Sequence, residues 1–131
     1  MSSLVRAYDA RAWDLFRSTL SDDFVLVDHR PVSLGTIGPD DWVESVKVIA
    51  ELGPNLRLSI SSVLATAPGC IAYRVLGAGP TEDSAYVEIA FFQVGNVRAG
   101  QLTRLEFFPL EDLSAALARF EDLSRTTPTE I

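Results

Sequence analysis

Apolar residues recur every three to four positions over the first twenty residues and every second position from Leu56 onward. The chain therefore predicts helices first and strands afterwards. Leu4, Val5, Tyr8, Ala12, Leu15, Phe16, Thr19 and Leu20 outline one face of a helix from about Ser3 to Leu20. Ser21-Asp22-Asp23 ends it and opens a short apolar strand that closes at Asp28-His29-Arg30-Pro31. Gly35 and Gly38 mark a loop. Pro39 suits the first turn of a second helix, and Asp40 and Asp41 are favoured beside its positive N-terminal end. Trp42, Val43, Val46, Ile49 and Ala50 give that helix its apolar face, and Gly53-Pro54 stops it.

Four strands follow. Leu56 to Leu64 alternates, Pro68-Gly69 turns the chain, and Ile71 to Leu76 forms the next strand, closed by Gly77-Ala78-Gly79-Pro80. Ser84 to Val94 is long and mostly apolar, with Glu88 in its interior; Gly95 to Gly100 reads as a hairpin turn, and Gln101 to Phe108 as the last strand. Asp112 to Leu123 predicts a short C-terminal helix, and residues 126–131 a polar tail. Strands joined by short turns pair antiparallel. The expectation is one α+β domain over residues 1–125, with a curved sheet wrapped around amphipathic helices.

Composition narrows the classes. The 131 residues carry a net charge of −7, and the ten arginines and one lysine form no stripe. This argues against nucleic acid and against an anionic membrane surface as partners. No apolar run is long enough to span a membrane. Cys70 stands alone, which fits a cytoplasmic setting and a small buried side chain. One histidine and one cysteine argue against a tetrahedral zinc site, the Asp pairs lack the pattern of a calcium loop, and no phosphate loop or Gly-x-Ser-x-Gly elbow is present, so no metal or cofactor is expected.

The candidate chemistry gathers on the strands. Phe24, Leu26 and Asp28 share one face of the first strand, and Val25, Val27 and His29 share the other. A carboxylate ending an apolar row is either solvated at the rim or set in a pocket, where burial would raise its pKa and suit it to proton transfer. Ala72, Arg74 and Leu76 share a face, as do Glu88, Ala90 and Phe92, and Arg104, Glu106 and Phe108. Their charges read either as cross-strand Arg–Glu pairs on an outer sheet surface or as the polar floor of a pocket. His29 reads as a partly exposed strand-end histidine, and the Trp and Phe residues mainly as core.

The element order resembles the nuclear transport factor 2-like superfamily in its SnoaL-like, polyketide cyclase branch. The resemblance covers nearly the whole chain. It rests on Ala10-Arg11-Ala12-Trp13-Asp14, Asp22-Asp23-Phe24, Val27-Asp28-His29-Arg30-Pro31, Gly100-Gln101-Leu102-Thr103-Arg104-Leu105 and Glu106-Phe107-Phe108. It implies a cone-shaped fold: a curved, mixed, mostly antiparallel sheet around N-terminal helices, a short C-terminal helix, an apolar pocket at the open end and a homodimer. Related domains are often modules of larger proteins, and the first helix here is short for the family. Asp28 falls where ketosteroid isomerase-like enzymes place their general base, while the positions matching their oxyanion-hole donors hold Leu4 and Ala90. Arg74 and Glu106 match two of three groups of limonene-epoxide hydrolase-like members, and Leu76 stands at the third.

Two readings follow. One is a domain that binds a small apolar molecule, lined by Leu26, His29, Trp42, Glu88, Phe92, Arg104 and Phe108, without assured turnover. The other is a cofactor-free acid–base enzyme of isomerase, cyclase, dehydratase or epoxide hydrolase type. It would use Asp28 as base, Arg74 and Glu106 assisting, and Tyr8, Tyr73, Tyr86 or Arg74 as oxyanion donor.

Overall fold

A computed structural model describes residues 2–126, apart from positions 82 and 84; the predicted tail beyond Thr126 lies outside the described residues. The chain runs α1 (Ser2–Asp9), α2 (Trp13–Ser18), β1 (Leu20–Asp28), β2 (Thr36–Ile37), α3 (Pro39–Leu52), β3 (Arg57–Ala67), β4 (Cys70–Pro80), β5 (Tyr86–Arg98), β6 (Gln101–Phe108), a 3-10 turn (Leu110–Asp112) and α4 (Leu113–Thr126). The strands form one curved α+β sheet in the order β2-β1-β6-β5-β4-β3. The β1–β6 pair is parallel, and every other pair is antiparallel.

Helices cover both sheet faces. On one side α1, α2 and α3 pack Leu4, Tyr8, Phe16, Trp42 and Val46 against Phe24, Leu26, Leu105 and Phe107. On the other, α4 packs Ala116, Phe120 and Leu123 against Cys70, Ala72, Phe92, Val94 and Phe108. Alternate residues of β4, β5 and β6 thus serve two separate cores. This is why their sequences read as nearly continuous apolar runs.

Two local expectations are corrected. The single helix over Ser3–Leu20 is broken, because Arg11 adopts a left-handed conformation (φ 56). Its guanidinium donates to the carbonyls of Tyr8 (2.8 Å) and Pro54 (2.9 Å), so contact with a distant loop holds the break. Gly77–Pro80 is no turn: β4 continues to Pro80, paired with Tyr86. The glycine at position 79 answers a close approach, since a Cβ there would lie 2.2 Å from the Asn55 carbonyl oxygen. The later hairpin is tighter than Gly95–Gly100, turning on Ala99 and Gly100 with positive φ angles of 51 and 79. The short strand β2, in the segment expected as loop, pairs Thr36 and Ile37 with β1.

Candidate active site: an apolar cavity with one arginine

Between α1, α3 and the inner sheet face lies a cavity of about 180 Å³. Its walls come from Leu4, Val5 and Tyr8 of α1, Phe16 of α2, Trp42, Val46 and Ile49 of α3, and Tyr73, Val75, Gly77, Ile89, Phe91, Gln93 and Phe107 of the sheet, with Arg30, Leu34, Leu56 and Leu58 between them. Ile49 and Ile89 are partly exposed and mark the mouth, whereas Phe16, Trp42, Tyr73 and Phe107 are buried and mark the floor. Trp42 is fixed by stacking on Phe24, with ring centroids 5.2 Å apart. Gly77 widens the mouth by withholding a side chain. An engineered apolar cavity of roughly 150 Å³ holds benzene, so this one has room for a somewhat larger molecule.

The polar groups at the wall are few. Arg30 lies at the wall with its guanidinium 4.5 Å from the centre of the Phe91 ring and 5.1 Å from that of Phe107. It is bound edge-on to Asp28, Nε donating to Oδ1 and Nη2 to Oδ2, both at 2.9 Å. The backbone N–H groups of Arg30 (3.0 Å) and Leu34 (2.9 Å) complete the shell of that carboxylate, whose side chain has no exposed surface. Burial pushes the Asp28 carboxyl up. The Arg30 side-chain hydrogen bonds, the two backbone bonds and the guanidinium charge outweigh it and hold the group below the ordinary carboxylate range. Beside them the Tyr73 hydroxyl hydrogen-bonds to Gln93 Oε1, and burial raises the Tyr73 pKa. Burial likewise raises Tyr8, with Arg11 opposing it.

The expected site residues divide between the two faces. Asp28 lies on the cavity side of β1, behind Arg30, with both oxygens engaged; Leu26 is on the same face in the core, and Trp42 lines the cavity. Strand register sends Arg74, Glu88, Phe92, Arg104, Glu106 and Phe108 to the opposite face, because Tyr73, Val75, Phe91, Gln93 and Phe107 hold the inward positions. The expected cross-strand Arg–Glu pairing is corrected accordingly. Arg74 donates to Ser61 Oγ at 2.8 Å, and Glu88 is exposed with no ion pair among the described residues. Arg104 pairs with Glu106 along its own strand instead. Of the expected oxyanion donors, Tyr8 and Tyr73 line the cavity and Tyr86 is exposed.

Glu106 gathers its own cluster beneath α4. It accepts from His29 Nε2 (2.8 Å), Arg104 Nε (2.7 Å) and Arg119 Nε (2.8 Å). Burial raises this carboxyl, but the Arg104, His29 and Arg119 hydrogen bonds together with the Arg104 charge bring it below its ordinary value. His29 also stacks on Phe108 at 4.6 Å. Sequence reasoning missed Arg30, Gln93 and Arg119. A usable signal existed for Arg30, which follows Asp28 by two residues and so falls on its side of an extended chain; Arg119 had none.

Among the described residues no group of three or more His, Cys, Asp and Glu side chains could hold a metal. No helix among them is long and apolar enough to cross a membrane. No protein-family model matches the chain, and no curated protein matches it in sequence. Solved structures do match. IdmH of Streptomyces antibioticus, a proposed polyketide cyclase, is 14% identical with a TM-score of 0.71, covering 92% of this chain and 94% of its own. RV0760c of Mycobacterium tuberculosis, crystallised with estradiol-17beta-hemisuccinate, is 15% identical at a TM-score of 0.68, covering 84% and 91%. TerC, co-crystallised with polyporic acid, is 14% identical at 0.64, covering 92% and 93%. With its curved sheet closed around three helices and these structures superposing over most of its length, the chain has the nuclear transport factor 2-like, ketosteroid isomerase-like fold.

Proposed function

We propose that this domain binds a small, largely apolar molecule in the cavity and performs no proton transfer on it. One observation carries the reading. Among the described residues that line the cavity there is no carboxylate, histidine, cysteine or lysine, and the single charged group, Arg30, is already matched by Asp28. The two lining tyrosines have raised pKa values and are poor bases near neutrality. What remains is shape, aromatic surface, and hydrogen-bond donors on Arg30 and the Gln93 amide, which suit an apolar molecule carrying one acceptor oxygen. The small-molecule complexes of RV0760c and TerC support a similar use of the fold here.

The alternative is acid–base catalysis with Asp28 as general base. Its position directly behind Arg30, which lines the cavity, favours it, but the base must first shed Arg30. A homodimer in the cytoplasm belongs to the same proposal, and sedimentation of the purified domain tests the dimer.

The test is a titration with 2-acetylnaphthalene, followed by tryptophan fluorescence and calorimetry. Saturable quenching is expected in the wild type. It should be lost in Gly77→Leu and in Val46→Phe, which fill the cavity from the sheet and the helix side. No binding by the wild type, or equal binding by both folded variants, overturns the proposal. A turnover that Asp28→Asn abolishes would establish the alternative.

A further inference from the structure

We propose that Arg104 and Arg119 form a second binding site, for an oxyanion, on the sheet face beneath α4. The site lies on the opposite side of the sheet from the cavity and does not depend on the reading of that cavity.

The geometry is unusual in what it leaves unused. An arginine commonly meets a carboxylate with two parallel N–H bonds, as Arg30 meets Asp28. Here both arginines reach the same oxygen, Glu106 Oε2, and each does so through Nε, at 2.7 and 2.8 Å. Their Nη1 and Nη2 groups make no hydrogen bond among the described residues. Glu106 is buried, with 2% of its side chain exposed, whereas Arg104 and Arg119 are 34% and 35% exposed. The carboxylate thus anchors the inner edges of two guanidiniums and leaves their outer edges toward solvent.

Charge agrees with geometry. One carboxylate faces two permanently charged guanidiniums, and His29 at the third position adds charge whenever it is protonated. Asp122, about one helical turn beyond Arg119, pairs with Arg125 at 2.7 Å. The cluster is therefore a local positive excess in a chain of net charge −7. Because Glu106 already orders both long side chains, an arriving anion need not freeze them, which removes a usual penalty on binding. Phosphate and carboxylate oxygens match the outer edges of the two guanidiniums. The anion comes either from a free phosphate compound or from a carboxylate of a second copy of this chain.

The experiment uses the intact domain with inorganic phosphate. Melting temperature and the arginine Nε–H NMR signals are followed as phosphate replaces chloride at constant ionic strength. A saturable rise in melting temperature is expected, with shifts confined to the Arg104 and Arg119 signals. Arg119→Gln, in which Glu106 keeps Arg104 and His29, should weaken the response at least tenfold. Arg104→Gln should do the same, and Arg125→Gln should leave it unchanged. Sedimentation separates the sources. If phosphate and Arg119→Gln both dissociate a dimer, the second copy supplies the carboxylate; an unchanged assembly points to the free anion. An equal response to chloride, or an undiminished one in folded Arg119→Gln, overturns the proposal.

Discussion

Replacing Arg30 by Met isolates the Asp28 carboxylate inside the protein. Two charge-assisted hydrogen bonds of 2.9 Å disappear from a side chain with no exposed surface. Removing one partner of a buried ion pair costs about 3–5 kcal/mol. Two effects soften this here. The backbone N–H groups of Arg30 and Leu34 still reach the carboxylate, and the Met side chain retains part of the packing against Phe91 and Phe107. About 3 kcal/mol is therefore the working figure, against a total of roughly 5–15 kcal/mol for a domain. The melting temperature should fall by about 10 °C.

The sign of the pH dependence sharpens the test. In the wild type the depressed Asp28 pKa contributes stability above the unfolded value of about 4, and that contribution is lost as pH falls through the folded value. In Arg30→Met the lone carboxylate is raised by burial, so its penalty is present at neutral pH and fades as it protonates. The gap between the two proteins should shrink on moving from pH 7 toward pH 4. The double variant Asp28→Asn/Arg30→Met removes the charge and should recover at least half of the loss. Equilibrium urea unfolding of these three proteins and of Asp28→Asn, followed by tryptophan fluorescence at both pH values, gives all four corners of the cycle. A loss under about 1 kcal/mol for Arg30→Met, or strict additivity in the double variant, would refute the buried-pair account.

Gly79→Ala drives a Cβ to 2.2 Å from the Asn55 carbonyl and should cost at least about 1–3 kcal/mol in thermal unfolding; a neutral result would mean the segment between α3 and β3 yields freely. At Arg11, φ 56 favours glycine. Both Arg11→Gly and Arg11→Ala lose the bonds to Tyr8 and Pro54, but only alanine keeps the left-handed penalty, so it should be the less stable of the two by about 1 kcal/mol. Glu106 and Asp28 are both held below their ordinary pKa, so they stabilise the protein above about pH 4 and cease to do so under more acid conditions. An acid titration of circular dichroism should show the transition moving to lower pH in Asp28→Asn/Glu106→Gln relative to its own neutral-pH stability, and an unmoved transition would assign acid unfolding elsewhere.

Much of this architecture was legible because local signals and packing agree. α3 begins at Pro39 and ends before Gly53, as predicted, since Gly38 precedes a proline with fixed φ and Asp40 and Asp41 sit at the positive helix end. β6 occupies Gln101–Phe108, as expected. The break at Arg11 was illegible, because the apolar spacing runs through it and its cause is a carbonyl 43 residues away. Gly77 and Gly79 looked like turn residues, yet they serve a cavity wall and a close backbone approach within a strand. Neither requirement leaves a trace in neighbouring residues.

The division of the candidate site has a deeper cause. Alternation groups Arg104, Glu106 and Phe108 on one face, and the structure keeps them so, but alternation carries no information about which face meets the cavity. Usually polarity decides, with one sheet face dry and the other wet. Here α1, α2 and α3 dry one face and α4 dries the other, so a buried carboxylate exists on each: Asp28 inward and Glu106 outward. Asp28, the last residue of β1, and His29, which follows it, enter the two clusters back to back. Each carboxylate is held ionised by arginine, Asp28 by Arg30 and Glu106 by Arg104 and Arg119. Under the proposed reading, pairing the inward acid with an arginine two residues along leaves the hollow to recognition rather than proton transfer.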